Sequence, residues 1–285
     1  MQRRPLCAHL GDEIEGLDLR SPVTETDAAE LRAALAERHV LLFRGQHLEP
    51  ADQLRALAVF GEPVDEGGDG ARYVFVSNRR DDGVLAEGRR LLLHHDNAFT
   101  PEPLSAVGLY GEVVGEGGAP TCFANAERAA SLLGADLRDD LTGAEALNLS
   151  GFAGGWYRYR DAETEPHHPR AVHPVLRPNP RSGGTALFVS EQQTDRILGW
   201  DPDRSEAVLT ECFELLYADA NLWYHHWAPG DLVIWDNQAV QHGRPAIEGP
   251  GERTLRRVAV VQGDTATQRA WTQVSLAAER AEREN

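Results

Sequence analysis

The run LLLHHDNAF, residues 91–99, constrains this chain more than any other stretch. Three leucines followed by two histidines and an aspartate read as an apolar strand. Such a strand must end in water or at a ligand, because charged side chains are almost never fully buried unless paired or metal-bound. In an extended strand, residues i and i+2 share a face. Arg90, Leu92, His94 and Asp96 are therefore expected on one side and His95 on the other. His94 and Asp96 then offer an imidazole nitrogen and a carboxylate oxygen to one point. Two neighbouring ligands are too few to hold an ion, so a third has to come from a distant part of the chain.

The candidate is His242 in GDLVIWDNQAVQHGRP, residues 230–245, just beyond an apolar strand at 232–235 and a polar turn. Two histidines and one carboxylate on one face of an octahedron leave three positions open, the arrangement of non-haem Fe(II) oxygenases. Taken alone, one HxD among 11 histidines is also what a solvated strand end would show. The arginines add context. An open iron site of this kind needs a carboxylate-bearing cosubstrate, and that cosubstrate needs a cation at its far end. Arg253 and Arg257, in ERTLRRVAV, are spaced to share one strand face with Leu255. A guanidinium can grip a carboxylate by two parallel hydrogen bonds. Thr121, which starts a strand after GEGGAP, adds a hydroxyl.

The remaining histidines read as structural. His47 lies in a turn before a helix. His225 and His226 alternate across a strand and cannot chelate one ion together. His167 and His168 fall in a loop, and His173 orders a turn before its proline.

Composition narrows the function further. All 28 basic residues of the 285 are arginine, which removes lysine Schiff bases, lysine general bases and the phosphate-loop lysine together. A net charge of −17 argues against nucleic acid and anionic membranes as partners. Three cysteines without a CxxC pair imply neither a disulfide framework nor a thiolate zinc site. The opening residues have no apolar signal core and no stretch is long enough to span a bilayer, so a cytoplasmic protein is expected.

Amphipathic helices are predicted at 24–40 and 49–61, with others near 125–134 and 203–218. Short strands are predicted at 40–45, 72–77, 90–95, 106–113, 121–124, 185–189, 221–227, 231–236 and 255–262. Residues 64–71 read as a flexible loop, and 162–184 as mostly loop and turn. Many short strands with bunched helices imply a mainly β, helix-decorated (α+β) sandwich or jelly roll. Strict β–α alternation and a glycine phosphate loop are both missing. One domain over 1–285 is expected, with a frayed tail at about 266–285.

At these residues the chain resembles the taurine dioxygenase family, which includes the dichlorophenoxyacetate dioxygenase type. The resemblance runs from about 8 to 263 through LGDEIEGLDL, LLFRGQHLEPADQLRALAVFGEP, HHDNAFTPEPLSAVGLYGEVVGEGGAPTCFAN, HPVLRPNPRSGGTALFVS and WDNQAVQHGRP, in that order. It implies a double-stranded β-helix (jelly roll, cupin-like) and an Fe(II)/2-oxoglutarate-dependent oxygenase. Such an enzyme uses O2, releases succinate and CO2, and most often hydroxylates an unactivated C–H bond of a small molecule. Desaturation, cyclisation and C–heteroatom cleavage are alternative outcomes, and specialised metabolism is one setting.

Carried over by residue, His94, Asp96 and His242 resemble the catalytic iron ligands. Thr121 and Arg253 resemble the 2-oxoglutarate contacts, and Arg257 a substrate-facing arginine. Arg90 is a further substrate-contact candidate from its strand face. The sequence departs from the family at Leu93, where tryptophan is frequent, and at GGAPT in place of GGDT. It departs again at VDEGGDG, which lacks the upstream histidine used for a sulfonate. The acids of that loop face solvent or meet a cation. Asp96 disfavours halogenation, which needs that position vacant for chloride. A non-catalytic metal-binding β-barrel would account for the ligands but not for Thr121 and Arg253. A zinc hydrolase would lack its usual HExxH helix. A homo-oligomer is compatible with the sequence.

Overall fold

The structure is a computed structural model, and it describes residues 1–81, 83–84, 90–116, 118–150, 168–247 and 251–262. The predicted frayed tail and His167 lie outside the described residues. In chain order the first elements are β1 (Gln2–Pro5), β2 (Asp12–Glu15), α1 (Glu25–Arg38), β3 (Val40–Phe43), α2 (Pro50–Leu57), β4 (Glu62–Pro63), β5 (Val74–Ser77) and β6 (Gly83–Val84). Next come β7 (Leu91–His94), β8 (Ala106–Val114), β9 (Thr121–Asn125), α3 (Ala126–Ser131), α4 (Ala135–Leu141) and β10 (Glu145–Leu149). The last are β11 (Arg170–Pro174), β12 (Leu176–Pro178), β13 (Thr185–Leu187), β14 (Thr194–Ile197), α5 (Pro202–Leu216), β15 (Leu222–His225), β16 (Leu232–Asp236), β17 (Val240–Arg244) and β18 (Arg253–Val261).

Local signals explain the helix ends. The Thr24 hydroxyl accepts from the Asp27 amide at the start of α1, and Glu25 and Asp27 complement the helix dipole. Pro50 opens α2, while the Asp52 carboxylate accepts from the Glu49 amide.

Two sheets frame the molecule. The larger runs β1-β2-β3-β16-β8-β18-β5-β6, with β4 also paired to β18, and the smaller runs β15-β9-β17-β7. One apolar cluster joins them. Phe123 and Val240 of the smaller sheet pack with Val107, Val233, Trp235, Leu255 and Ala259 of the larger. Phe123 and Trp235 meet edge to face at 5.4 Å. On its other face the larger sheet is covered by α1 and α2, through Leu31, Leu35, Ala56 and Leu57.

A second layer was not foreseen. Residues predicted as loop and turn contain β11, which joins β10 and β14 in a three-stranded sheet, and β12, which pairs with β13. Pro174 ends β11, and β11 is an edge strand, where a missing backbone N–H costs no ladder bond. Residues 64–71 also differ from the flexible loop expected. The Asp65 carboxylate accepts from the amides of Gly68 (2.8 Å) and Gly70 (2.9 Å), closing the loop on itself. Among the described residues, no helix is long and apolar enough to cross a membrane.

Candidate metal and cosubstrate site

His94 ends β7, Asp96 follows in the next turn, and His242 sits in β17 directly opposite His94. One ligand atom from each of the three lies within 4.8 Å of the others. Asn237, in the turn before β17, fixes this geometry. Its side-chain oxygen accepts from the Asp96 amide at 2.8 Å, and its NH2 donates to the Asp96 carbonyl at 2.9 Å. Gly243 allows the close approach of β7, since a Cβ there would lie 2.7 Å from the Leu91 carbonyl oxygen.

The donor chemistry suits a cation. His94 Nδ1 is 2.8 Å from the Leu92 carbonyl, which can only accept, so Nδ1 donates to it and Nε2 is the nitrogen turned towards Asp96. Nε2 lies 3.4 Å from Asp96 Oδ1. Burial opposes charge on Asp96, but the Arg257 guanidinium above all holds its carboxyl well below the usual range, so it is ionised. Burial pushes His242 down to about 3, so its imidazole is neutral and able to ligate. His242 Nε2 is 3.6 Å from Asp96 Oδ2. The residues present therefore fit a divalent ion with two imidazoles and one carboxylate.

Arg253 and Arg257 both point inward from β18, as their spacing predicts. Arg253 is 2% exposed. Its Nη2 donates to the Thr121 hydroxyl at 3.0 Å and its Nε to the Ala119 carbonyl at 3.1 Å. Trp227 Nε1 also donates to the Thr121 hydroxyl, at 3.0 Å. No carboxylate pairs with Arg253 among the described residues. Burial, with nearby Arg244 adding to it, pushes its pKa down to about 9.

Arg257 is surrounded differently. Its Nε and Nη2 donate to the two carboxylate oxygens of Glu66 at 2.8 and 3.0 Å. Its Nη1 donates to Asp96 Oδ2 at 2.8 Å. Burial alone would lower its pKa, but Asp96 and Glu66 raise it.

Arg90 does not join this group. His242 pairs with His94 but Arg244 pairs with Leu91, so β7 carries one extra residue between the two pairings. Alternation counted across that bulge is out of phase, and Arg90 falls on the face opposite His94. It is exposed, and its charge is felt by Cys122 and Tyr224.

The other histidines vary in role. His47 and His226 are exposed. His225 is buried with Nε2 3.1 Å from Asp231. His168 Nε2 lies 3.4 Å from the Ser150 carbonyl. His173 sits within β11 rather than in a turn, and its Nε2 lies 2.9 Å from the Thr100 carbonyl, behind the metal-side turn.

Two contributors escaped sequence reasoning: Asn237 had only its place in a polar turn to mark it, and Trp227 its place in a strand. Glu66 belongs to the loop whose acids are expected to face solvent or meet a cation, and it meets Arg257.

Comparison with known proteins identifies the family. The model of the family described as "Taurine catabolism dioxygenase TauD, TfdA family" matches residues 2–259. The chain is 28% identical to pentalenolactone F synthase of Streptomyces avermitilis, over 90% of this chain and 92% of the relative. It is 29% identical to the alpha-ketoglutarate-dependent 2,4-dichlorophenoxyacetate dioxygenase of Cupriavidus pinatubonensis, over 89% and 95% of the two chains. It superposes on the crystal structure of a taurine dioxygenase from Burkholderia xenovorans with a TM-score of 0.78 and 28% identity, covering 92% of this chain and 91% of that one.

Proposed function

Because the chain belongs to the TauD/TfdA family of dioxygenases, we propose that His94, Asp96 and His242 hold a ferrous ion and that Thr121 and Arg253 receive the distal carboxylate of 2-oxoglutarate. The protein is a 2-oxoglutarate-dependent dioxygenase with a small-molecule substrate, and it uses Fe(II) and O2. The observation that carries the residue assignment is the convergence of one ligand atom each from His94, Asp96 and His242, all within 4.8 Å of one another. A divalent cation among them would satisfy all three donors.

Iron and 2-oxoglutarate, when bound, supply the O2-activating oxidative chemistry that releases succinate and CO2. The chain supplies orientation. The Leu92 carbonyl fixes the His94 tautomer, and Asn237 fixes the Asp96 backbone. Arg253, oriented by Ala119 and Thr121, offers a desolvated cation to an incoming carboxylate, and Thr121 is held in place beside it by Trp227. Arg257 borders the metal side through Asp96, where a substrate would approach. We propose hydroxylation of an unactivated C–H bond as the outcome. Desaturation, ring closure and C–heteroatom cleavage are distinguished by product analysis.

The two facing sheets suit the walls of a double-stranded β-helix, the cupin-like jelly roll, within one domain. Free Cys7, Cys122 and Cys212 suit a reducing cytoplasm.

The test is Fe(II)-dependent formation of succinate from 2-oxoglutarate in a panel of small molecules. Wild-type protein is expected to turn over, and His94→Ala to fall to background. Full turnover by His94→Ala would overturn the assignment.

A further inference from the structure

The metal side and the cosubstrate side of this site differ in how their arginines are partnered, and the difference bears on substrate charge. A guanidinium recognises an oxyanion best along its Nε–Nη edge, where two parallel N–H groups meet two oxygens. On Arg257 that edge is filled by Glu66 at 2.8 and 3.0 Å, and the remaining nitrogen is held by Asp96 at 2.8 Å. All three side chains are between 12% and 14% exposed, so the pairs are sheltered from water. The placement of Glu66 has its own support. Asp65, its neighbour, accepts from the Gly68 and Gly70 amides and closes the loop that carries it. Asp96, Glu66 and Arg257 together carry one net negative charge. An arriving sulfonate or carboxylate would have to displace Glu66 from a sheltered ion pair, which is costly.

Resting on the metal-centre reading above, we propose that Glu66 sets the charge selectivity of the substrate subsite beside Asp96. By occupying the two-pronged edge of Arg257, it excludes anionic groups, and the substrate brings a neutral or cationic group to this wall. Glu66 acts through Arg257 and is a positioning residue. It has a second effect on the centre. With Glu66 present, Arg257 is shared between two carboxylates, and Asp96 keeps more of its charge for a metal ion.

The experiment compares wild type with Glu66→Gln, which keeps size and loses charge, and with Glu66→Ala, each checked for folding by circular dichroism. Calorimetry of zinc- and 2-oxoglutarate-loaded protein measures the affinities of phenoxyacetate and its neutral isostere phenoxyacetamide. Wild type is expected to favour the amide, and Glu66→Gln to move the acid-to-amide ratio towards the acid by about tenfold or more, as when one charge-assisted pair is gained. Zinc affinity, measured alone against a chelator, is expected to fall several-fold in both variants. An unchanged ratio, or unchanged zinc affinity, overturns the proposal. A wild type that binds no divalent ion would instead reject the metal-centre reading, and the acid-to-amide ratio of the metal-free protein would then decide the role of Glu66.

Discussion

Arg253 and Arg257 stand four positions apart on one face of β18, yet they live under opposite electrostatic conditions. Arg257 is enclosed by two carboxylates, and its charge is favoured. Arg253 is buried against a hydroxyl, a carbonyl and the Trp227 ring, and its charge is disfavoured. Strand face and residue type are the same and both side chains are largely buried, so the partners make most of the difference. One arginine completes the folded protein. The other has no carboxylate partner among the described residues, and the proposed function gives it one in the cosubstrate.

The contrast is strongest in what removal does. Arg257→Ala leaves Asp96 and Glu66 buried without their cation, and should destabilise the metal-free protein by about 3–5 kcal/mol. Urea midpoints would measure this, and a loss below about 1 kcal/mol would erase the distinction. Arg253→Ala takes away a buried charge that has no counter-charge among the described residues, so the stability of the metal-free protein should change little. Its cost should fall on 2-oxoglutarate, whose affinity should drop by roughly 2–5 kcal/mol, or about 30-fold to several-thousand-fold. Calorimetry on zinc-loaded protein would show this, and unchanged affinity would remove Arg253 from the cosubstrate site.

The same rule extends to imidazoles, which burial also denies a charge, and there it shows as a gradual loss rather than as a single step. Burial pushes His95 to about 3, His173 to about 4 and His242 to about 3. Below about 6.5 the unfolded chain takes up protons that the folded chain refuses, so stability falls as pH drops from 6.5 towards those values. Each histidine contributes at most about 1.4 kcal/mol per pH unit. Urea midpoints of the metal-free protein at several pH values would record the decline, and a flat profile would contradict the buried, neutral state of these rings.

Much of the site was legible because it obeys strand periodicity. His94 with Asp96, the distant His242, and Arg253 with Arg257 were each found by counting residues along short apolar runs. The failures share a cause as well. Simple alternation puts Arg90 on the ligand face, but β7 carries an extra residue, and a bulge leaves no dependable mark in one sequence. β11 was hidden by prolines that an edge strand tolerates. Glu66 and Asn237 act through side chains that reach across the fold, at separations of 191 and 141 residues, which no local pattern encodes.

Asn237 grips the amide and carbonyl of Asp96 at once, and so rivets the turn ahead of β17 to the segment behind β7. The two lengths of chain that bear the ligands cannot drift apart while that rivet holds. The backbones that present His94, Asp96 and His242 are therefore expected to be ordered and lost together with the sheet that carries them.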